Sequence, residues 1–257
     1  MRKFVNRKQY FTMKTNHFFK NEALEALRGN WGKAVILTLA YILLAAAITS
    51  PTAYSTVKVS QYTQGNMGNA RSVSQMASFI QSPEYLTLQR RASGTSGTTT
   101  LLQIFLLSPI ALGFANAFRR LVVAKENNLL YNTIHIGFSN YWHKVWGLLL
   151  TSIFIVLWSF LFIIPGIVKA YSYSMTPYIL EENPELSASE AIDRSRFMMR
   201  GHKFDLFWLQ LSFFGWFILS ILTFGLGFLW MGPYYYSAKA AFYEEVKADY
   251  ALNGGLA

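Results

Sequence analysis

Long apolar runs without charged side chains constrain this chain more than any other feature of its sequence. A helix needs about 20 mainly apolar residues to cross the hydrocarbon core of a bilayer, which is about 30 Å thick. Four long apolar runs occur, at residues 34–49, 101–118, 145–180 and 206–243. Lys169 and Lys239 are the only charged residues within them. The sequence therefore predicts an all-α protein that passes through a membrane several times.

The composition supports a membrane and argues against a nucleic-acid partner. Only 14% of the residues are charged, compared with about 25% in soluble domains. The net charge of +10 comes from 13 acidic residues set against 23 Lys and Arg, so it reflects a shortage of acids. The chain has no cysteine, which excludes disulfides, thiol catalysis and cysteine-bound metals.

The third and fourth runs are too long for one span each. A single straight helix over residues 145–180 would measure about 54 Å at 1.5 Å per residue. Pro165-Gly166 lies inside that run and the glycine-rich stretch 223–227 lies inside the fourth, and such residues favour a turn. We therefore expect one membrane domain over residues 1–257, a bundle of about six hydrophobic helices. They would form three hairpin units, each preceded by an amphipathic interfacial segment, with four full spans as the alternative count.

The distribution of basic residues predicts the orientation, because Lys and Arg collect in short cytoplasmic loops. Three segments hold most of them: Arg2, Lys3, Arg7, Lys8, Lys14, Lys20, Arg28 and Lys33; then Arg119, Arg120, Lys125 and Lys144; then Arg194, Arg196, Arg200 and Lys203. We expect a protein of the cell membrane with both termini cytoplasmic, a cytoplasmic basic segment at 1–33 and an extracellular polar loop at 50–100. The alternative for the first run is a cleavable signal peptide. However, the 33-residue basic segment before this run is long for the charged n-region of a signal peptide.

Inside the polar loop, Val73, Met76, Ala77 and Ile80 keep helical spacing. This predicts one or two amphipathic turns on the outer surface.

An internal repeat of three copies is indicated by an offset that two prolines share. Pro109 is followed 17 residues later by Glu126, and Pro165 is followed at the same offset by Glu182. The third copy is looser, since Pro233 precedes Glu244 by 11 residues.

Residues 186–203 predict a cytoplasmic amphipathic helix. Ser187 and Glu190 fit a capping box, in which each side chain satisfies a free backbone N–H of the other residue. Glu190 and Arg194 are spaced for an i,i+4 ion pair. The expected apolar stripe comprises Ala188, Ala191, Ile192, Ser195 and Met199. We interpret this helix as interfacial, with a gating or partner-docking helix as the alternative.

An ordered string of motifs resembles a known family. The motifs are Phe-Ile-Ile-Pro-Gly-Ile-Val-Lys-Ala-Tyr at 162–171, Glu-Glu-Asn-Pro at 181–184, Gly-His-Lys at 201–203 and Gly-Pro-Tyr at 232–234. Together they resemble an uncharacterised integral-membrane family of Gram-positive bacteria, domain of unknown function 975. The resemblance implies a multi-pass protein of the bacterial cell membrane and supplies no activity.

No pattern in the sequence indicates an enzyme. The histidines, His17, His135, His143 and His202, form no metal-binding motif, and no phosphate-binding or dinucleotide-binding glycine pattern is complete. We therefore predict no catalytic residues, no cofactor and no metal.

Polar residues in or next to the hydrophobic runs are the candidate binding residues, because such groups usually face a bundle interior or a cavity. They are Asn116, Lys169 and Lys239, with the basic residues Arg194, Arg196 and Arg200 as further lipid or anion contacts. The alternative is that both lysines snorkel to the interface beside a belt of tyrosines.

The predicted partners are the lipid bilayer, anionic lipid headgroups and a membrane protein. We expect a non-enzymatic scaffold or accessory component. The alternative is a transporter or a lipid- or anion-handling protein with a polar cleft around Lys169 and Lys239.

Overall fold

The computed structural model describes residues 13–67 and 72–252, and these residues form helices with no strand. Arg2, Lys3, Arg7 and Lys8 of the predicted basic segment lie outside the described residues. The first half of the chain contains α1 (Asn16–Leu27), α2 (Trp31–Met67), α3 (Val73–Ile80), α4 (Pro83–Leu102), a π-helical segment (Gln103–Leu107), α5 (Ser108–Ala124) and α6 (Leu129–Phe138). The second half contains α7 (Tyr141–Leu161), α8 (Ile163–Ser172), α9 (Thr176–Glu182), α10 (Ala188–Met198), α11 (Lys203–Leu211), α12 (Phe214–Leu222) and α13 (Phe228–Leu252).

The all-helical prediction is confirmed for the described residues. Four stretches among them are long and apolar enough to cross a membrane: Trp31–Met67, Pro83–Ala124, Tyr141–Leu161 and Lys203–Leu222. Many large apolar side chains in these stretches and between them face outward, such as Phe160, which is 90% exposed. An outward apolar surface of this kind is what a bilayer would cover.

The described chain divides into two compact units, of which one is Leu39–Ser108. In this unit the hydroxyls of Thr52 on α2 and Thr99 on α4 lie 2.6 Å apart. Thr99 Oγ1 also donates to the carbonyl of Ile48 at 3.4 Å. Further along, Tyr62 OH donates to Glu84 Oε2 at 2.8 Å. These bonds join α2 to α4 within the unit.

The stretch 50–100, expected from the sequence to be a polar loop, is helical over almost all of its described residues. Helix α2 continues through Pro51 to Met67, and α4 begins at Pro83. Its polar side chains bond to their own helices, as Thr63 Oγ1 does to the carbonyl of Val59 at 2.7 Å. Such local bonds let a Ser- and Thr-rich segment remain helical. The helical turns predicted at 73–80 are formed by α3.

The other unit comprises the described residues up to Thr38 and from Pro109 onward. Its third apolar run breaks at Phe162, whose extended backbone (φ −156°, ψ 141°) separates α7 from α8. The sequence places the break three residues later, at Pro165-Gly166. Pro165 instead lies in the first turn of α8, where its missing N–H leaves no bond unmade. A Cβ on Gly166 would lie 2.1 Å from Ser159 Oγ, so α8 packs directly against α7.

The fourth run breaks in the glycine-rich stretch, as predicted. There, Gly225 has φ +88°, a conformation that glycine adopts without strain. A Cβ on Gly227 would lie 2.6 Å from Ser220 Cα, so α13 starts against α12. Gly166 and Gly227 each follow the contacting serine by seven residues. Each serine also donates to the carbonyl four residues before it, at 2.8 Å. The same serine–glycine contact therefore recurs where α7 meets α8 and where α12 meets α13.

A second interruption in the fourth run, at Ser212 and Phe213, separates α11 from α12. Lys20 on α1 donates from Nζ to the carbonyl of Ser212 at 2.8 Å. The same ammonium lies 4.7 Å from the centre of the Phe213 ring. A basic residue of the N-terminal segment thus satisfies a carbonyl that the interruption releases.

The core of this unit lies where α1 packs on α13 and α5 on α6. Phe19 and Phe242 meet edge to face with ring centres 5.4 Å apart. Between α5 and α6 the backbones nearly touch, since a Cβ on Gly113 would lie 2.0 Å from the carbonyl oxygen of Thr133. Only glycine fits at that position.

The capping box predicted at the start of α10 is present. Ser187 Oγ accepts from the N–H of Glu190 at 3.3 Å, and Glu190 Oε2 accepts from the N–H of Ser187 at 2.7 Å. The predicted apolar stripe is buried: Ala188, Ala191, Ile192, Ser195 and Met199. The predicted ion pair between Glu190 and Arg194 is absent from the described structure. The capping box occupies Glu190, and Arg194 donates to Asn183 Oδ1 at 2.9 Å.

Candidate functional site

Charged side chains from four helices meet at one end of the larger unit. We call this group the ion-pair cluster. Arginines come from the last part of α5, a lysine from the start of α7, acids from the end of α9, and the remaining members from the second half of α13. Its members are Arg119, Arg120, Lys144, Glu181, Glu182, Tyr243, Glu244 and Lys247.

Arg119 joins three helices. Its Nη1 lies 2.6 Å from Glu182 Oε1 and 2.9 Å from Glu244 Oε1. Its Nε donates to Asn116 Oδ1 at 3.3 Å. The side chain of Arg119 is 12% exposed and that of Glu182 is 15% exposed. Little solvent screens these contacts, so removing one partner would leave a poorly compensated charge and would cost more than breaking a surface ion pair.

Glu182 is the most heavily bonded acid of the cluster. Besides Arg119, its carboxylate accepts hydrogen bonds from Tyr243 OH and from Lys247 Nζ, the latter at 2.6 Å. Burial by itself would raise the pKa of this carboxyl. The bonds from Lys247 and Tyr243 and the charge of Arg119 outweigh burial, and the pKa is lowered. Glu182 is therefore held as a carboxylate.

Glu181 anchors the other half of the cluster. Its Oε2 lies 2.5 Å from Lys144 Nζ, and its Oε1 lies 3.1 Å from Arg120 Nη2. The side chain of Lys144 is only 1% exposed, and its ammonium also donates to the carbonyl of Ile136 and to Ser139 Oγ. A buried ammonium with three acceptors is well compensated for its lost hydration.

The acids at the repeat positions meet in or beside this cluster. Glu182 and Glu244, from the second and third copies, share Arg119. Glu126, from the first copy, lies 3.8 Å from Arg120 and accepts from Asn132 at 3.1 Å. The sequence offset marks residues that the fold brings together around two adjacent arginines. The repeat was identified from the sequence, but the pairing of its acids with Arg119 and Arg120 was not.

A cavity of about 430 Å³ lies one helical turn along α13 from Tyr243, beside Lys239. It is lined by residues of α7, α8, the α8–α9 connection, the start of α9, α11 and α13. The lining residues are Thr151, Ile155, Ala170, Tyr171, Tyr173, Ser174, Pro177, Gln210 and Lys239. None of these described lining residues is acidic.

One wall of this cavity is fixed by a chain of hydrogen bonds. Tyr171 OH donates to Gln210 Oε1 at 2.7 Å, and Gln210 Nε2 donates to Tyr235 OH at 2.8 Å. Pro177, another lining residue, is linked to the cluster by Asn116, which is 0% exposed and donates to the Pro177 carbonyl at 3.0 Å. The cavity is therefore preformed and next to the charged end of the unit.

The two lysines singled out from the sequence occupy different surroundings. Lys239 lines the cavity, whereas Lys169 is not among its lining residues. The ammonium of Lys169 lies 4.4 Å from the centre of the Trp158 ring, a cation–π contact. Asn116 is committed to the hydrogen bonds that join α5 to α9.

The three basic residues of the α10 region also have partners within the fold. Arg194 stands 5.7 Å from the Tyr250 ring, and Arg196 lies 3.0 Å from Asp193. Arg200 lies 4.1 Å from the centre of the Phe197 ring. The structure does not bring these arginines to the Lys239 cavity.

His202 contacts two aspartates. His202 Nε2 lies 2.9 Å from Asp249 Oδ2, and its Nδ1 lies 3.2 Å from Asp205 Oδ2. This arrangement ties the turn before α11 to α13. Over residues 13–67 and 72–252, no group of three His, Asp or Glu side chains is arranged to hold a metal ion.

Comparison with known families gives one match. Residues 163–250 match the profile of a family described as "Protein of unknown function (DUF975)". The match confirms the resemblance predicted from the sequence over the part that contains α8 to α12 and most of α13. No curated protein matches the chain. No solved structure matches it either.

Proposed function

We propose that this chain is a multi-pass protein of the cell membrane that acts as a non-enzymatic scaffold or accessory component. The observation that carries this proposal is that the buried charged side chains pair with one another. The arginines and acids of the ion-pair cluster bind one another across α5, α7, α9 and α13. Groups engaged in this way join helices and are not left free for acid–base chemistry.

The same proposal includes the arrangement in the bilayer. Six hydrophobic helices would form three hairpin units, each preceded by an interfacial segment, with both termini in the cytoplasm. The serine–glycine contacts at Gly166 and Gly227 support turns at equivalent places in the second and third units. The cluster would then lie at the cytoplasmic face, where Arg119, Arg120 and Lys144 meet the positive-inside expectation. Residues 186–203 would lie on that face, against anionic lipid.

The second candidate is a transporter or a lipid- or anion-handling protein. The Lys239 cavity favours it, because an ammonium lining a preformed cavity provides a site for an anion. The sequence predicted this cleft around Lys169 and Lys239 together. Only Lys239 lines the cavity, so it is the residue that this candidate needs.

Reconstitution and crosslinking separate the two candidates. Purified protein in liposomes should move neither anion nor lipid, while a photocrosslinking residue placed at exposed positions such as Ile36 or Phe160 should capture one recurring membrane protein. Capture at one of these positions and not at the other would indicate a defined contact. Protein-dependent movement of anion or lipid, lost in Lys239→Met, would replace the scaffold proposal with the transporter.

A further inference from the structure

Lys239 differs from Lys144 and Arg119 of the same unit in having no counter-ion. Lys144 is paired with Glu181, and Arg119 with Glu182 and Glu244. Within the described residues, the Lys239 ammonium has neither an ion pair nor a hydrogen bond. The Lys239 side chain is half-buried, and removing an ammonium from water without an anionic partner is costly. An anion in the cavity beside it would therefore be stabilised.

The cavity is built to receive an anion at that ammonium. Its described lining has no carboxylate to repel one. The Tyr171–Gln210–Tyr235 hydrogen-bond chain keeps its wall in place without the help of a ligand. A volume of about 430 Å³ lies within the range of small-molecule sites.

A neighbouring groove indicates what the anion is attached to. Tyr171 lines the Lys239 cavity and also a second, almost wholly apolar groove of about 360 Å³ between α8 and α11. Besides Tyr171, the groove is lined by Ile167, Val168, Phe204, Phe207 and Lys203. A cavity that contains an ammonium and an almost wholly apolar groove share this tyrosine, which matches the charged and the apolar parts of an amphiphile.

We propose that the Lys239 cavity binds the phosphate-bearing headgroup of an anionic lipid, and that an acyl chain lies along the groove formed by α8 and α11. The site is one helical turn, about 6 Å, from Tyr243 of the ion-pair cluster. This places the headgroup at the charged end of the unit and the chain against its apolar surface. The proposal rests on the membrane location proposed above.

Native mass spectrometry of the full chain, reconstituted in nanodiscs of phosphatidylglycerol and phosphatidylcholine and released from them, tests this site. We expect retained phosphatidylglycerol on the wild type and on Lys239→Arg, which keeps the charge. Lys239→Met should weaken retention at least about tenfold, the effect of losing one charge-assisted contact. The matched control is Lys169→Met, which removes a lysine outside the cavity and should leave retention unchanged. Equal retention by wild type and Lys239→Met would overturn the proposal.

Two further measurements keep the test decisive. Inorganic phosphate at millimolar concentration should not raise the melting temperature of the wild type. A rise in melting temperature that depends on Lys239 would assign the site to a free anion and overturn the proposal that it binds a lipid. If Lys239→Met does not fold, the site is tested by hydrogen exchange of the wild type in the two lipids. Phosphatidylglycerol should protect residues 170–177 relative to phosphatidylcholine, and absence of protection would overturn the site. Failure of the protein to enter nanodiscs at all would contradict the membrane location instead.

Discussion

The guanidinium of Arg119 lies 2.6 Å from the carboxylate of Glu182, a residue 63 positions later in the chain. Arg119 lies in the second half of α5, and Glu182 is the last residue of α9. Because both side chains are largely buried, the contact fixes the position of one helix end relative to the other. Glu244 on α13 joins the same guanidinium, so three helices depend on one side chain.

The first prediction concerns the stability that Glu182 supplies. In Glu182→Gln, Arg119 loses one of two carboxylates and Lys247 loses its closest one. Removing one partner of a buried ion pair costs about 3 kcal/mol or more, which corresponds to about 6–12 °C of melting temperature for a chain of this size. The seven tryptophans allow the measurement by intrinsic fluorescence in detergent. Glu185→Gln, at an exposed acid three residues on, is the control and should melt with the wild type. Equal melting of both variants would contradict the role of the cluster.

The second prediction is a pH dependence that belongs to Glu182. Its folded-state pKa lies below the ordinary value of 4.5, so the folded protein takes up this proton less readily than the unfolded chain. The resulting stability is complete above about pH 4.5 and is lost as the pH falls through the lower folded-state pKa. The difference in melting temperature between wild type and Glu182→Gln should therefore narrow steadily below about pH 4.5. A difference that stays constant down to about pH 3 would exclude this linkage.

The third prediction concerns the close approach of α5 and α6. In Gly113→Ala the new Cβ would meet the Thr133 carbonyl oxygen at 2.0 Å, and neither backbone can yield without moving a helix. We expect a loss of about 1–3 kcal/mol, as for other overpacked sites. Gly215→Ala on α12 is the matched control, because its Cβ would have nothing within 4 Å and alanine favours a helix. Thermal unfolding of the two variants side by side measures the contrast. If Gly113→Ala were as stable as Gly215→Ala, the helices could not be as close as described.

Local signals in this sequence predicted local structure well. The capping box at Ser187 and the glycine-rich break before α13 are formed where their chemistry placed them. The break after α7 is three residues from its predicted position, because Pro165 is compatible with the first turn of α8 and the extended residue is Phe162. Each of these features depends on a few neighbouring residues, so residue types placed each of them to within three residues.

Two kinds of feature were not predicted. The helical structure of residues 50–67 and 83–100 is local but was missed because serine and threonine were interpreted as loop formers, whereas their hydroxyls bond to carbonyls of their own helices. The acidic partners of Arg119 and Lys144 lie 37 to 125 residues away, and no local pattern names them. The repeat did mark Glu182 and Glu244 as equivalent, which was the one sequence signal that pointed to the cluster.

The orientation of the chain in the membrane is the claim on which the proposed function depends most. Since the chain has no cysteine, single cysteines can be introduced at Gln81, exposed between α3 and α4, and at Glu185, exposed between α9 and α10. A membrane-impermeant maleimide applied to intact cells should label Gln81→Cys and should label Glu185→Cys only after permeabilisation. Labelling of Glu185→Cys in intact cells, or equal protection of both positions, would contradict the proposed topology.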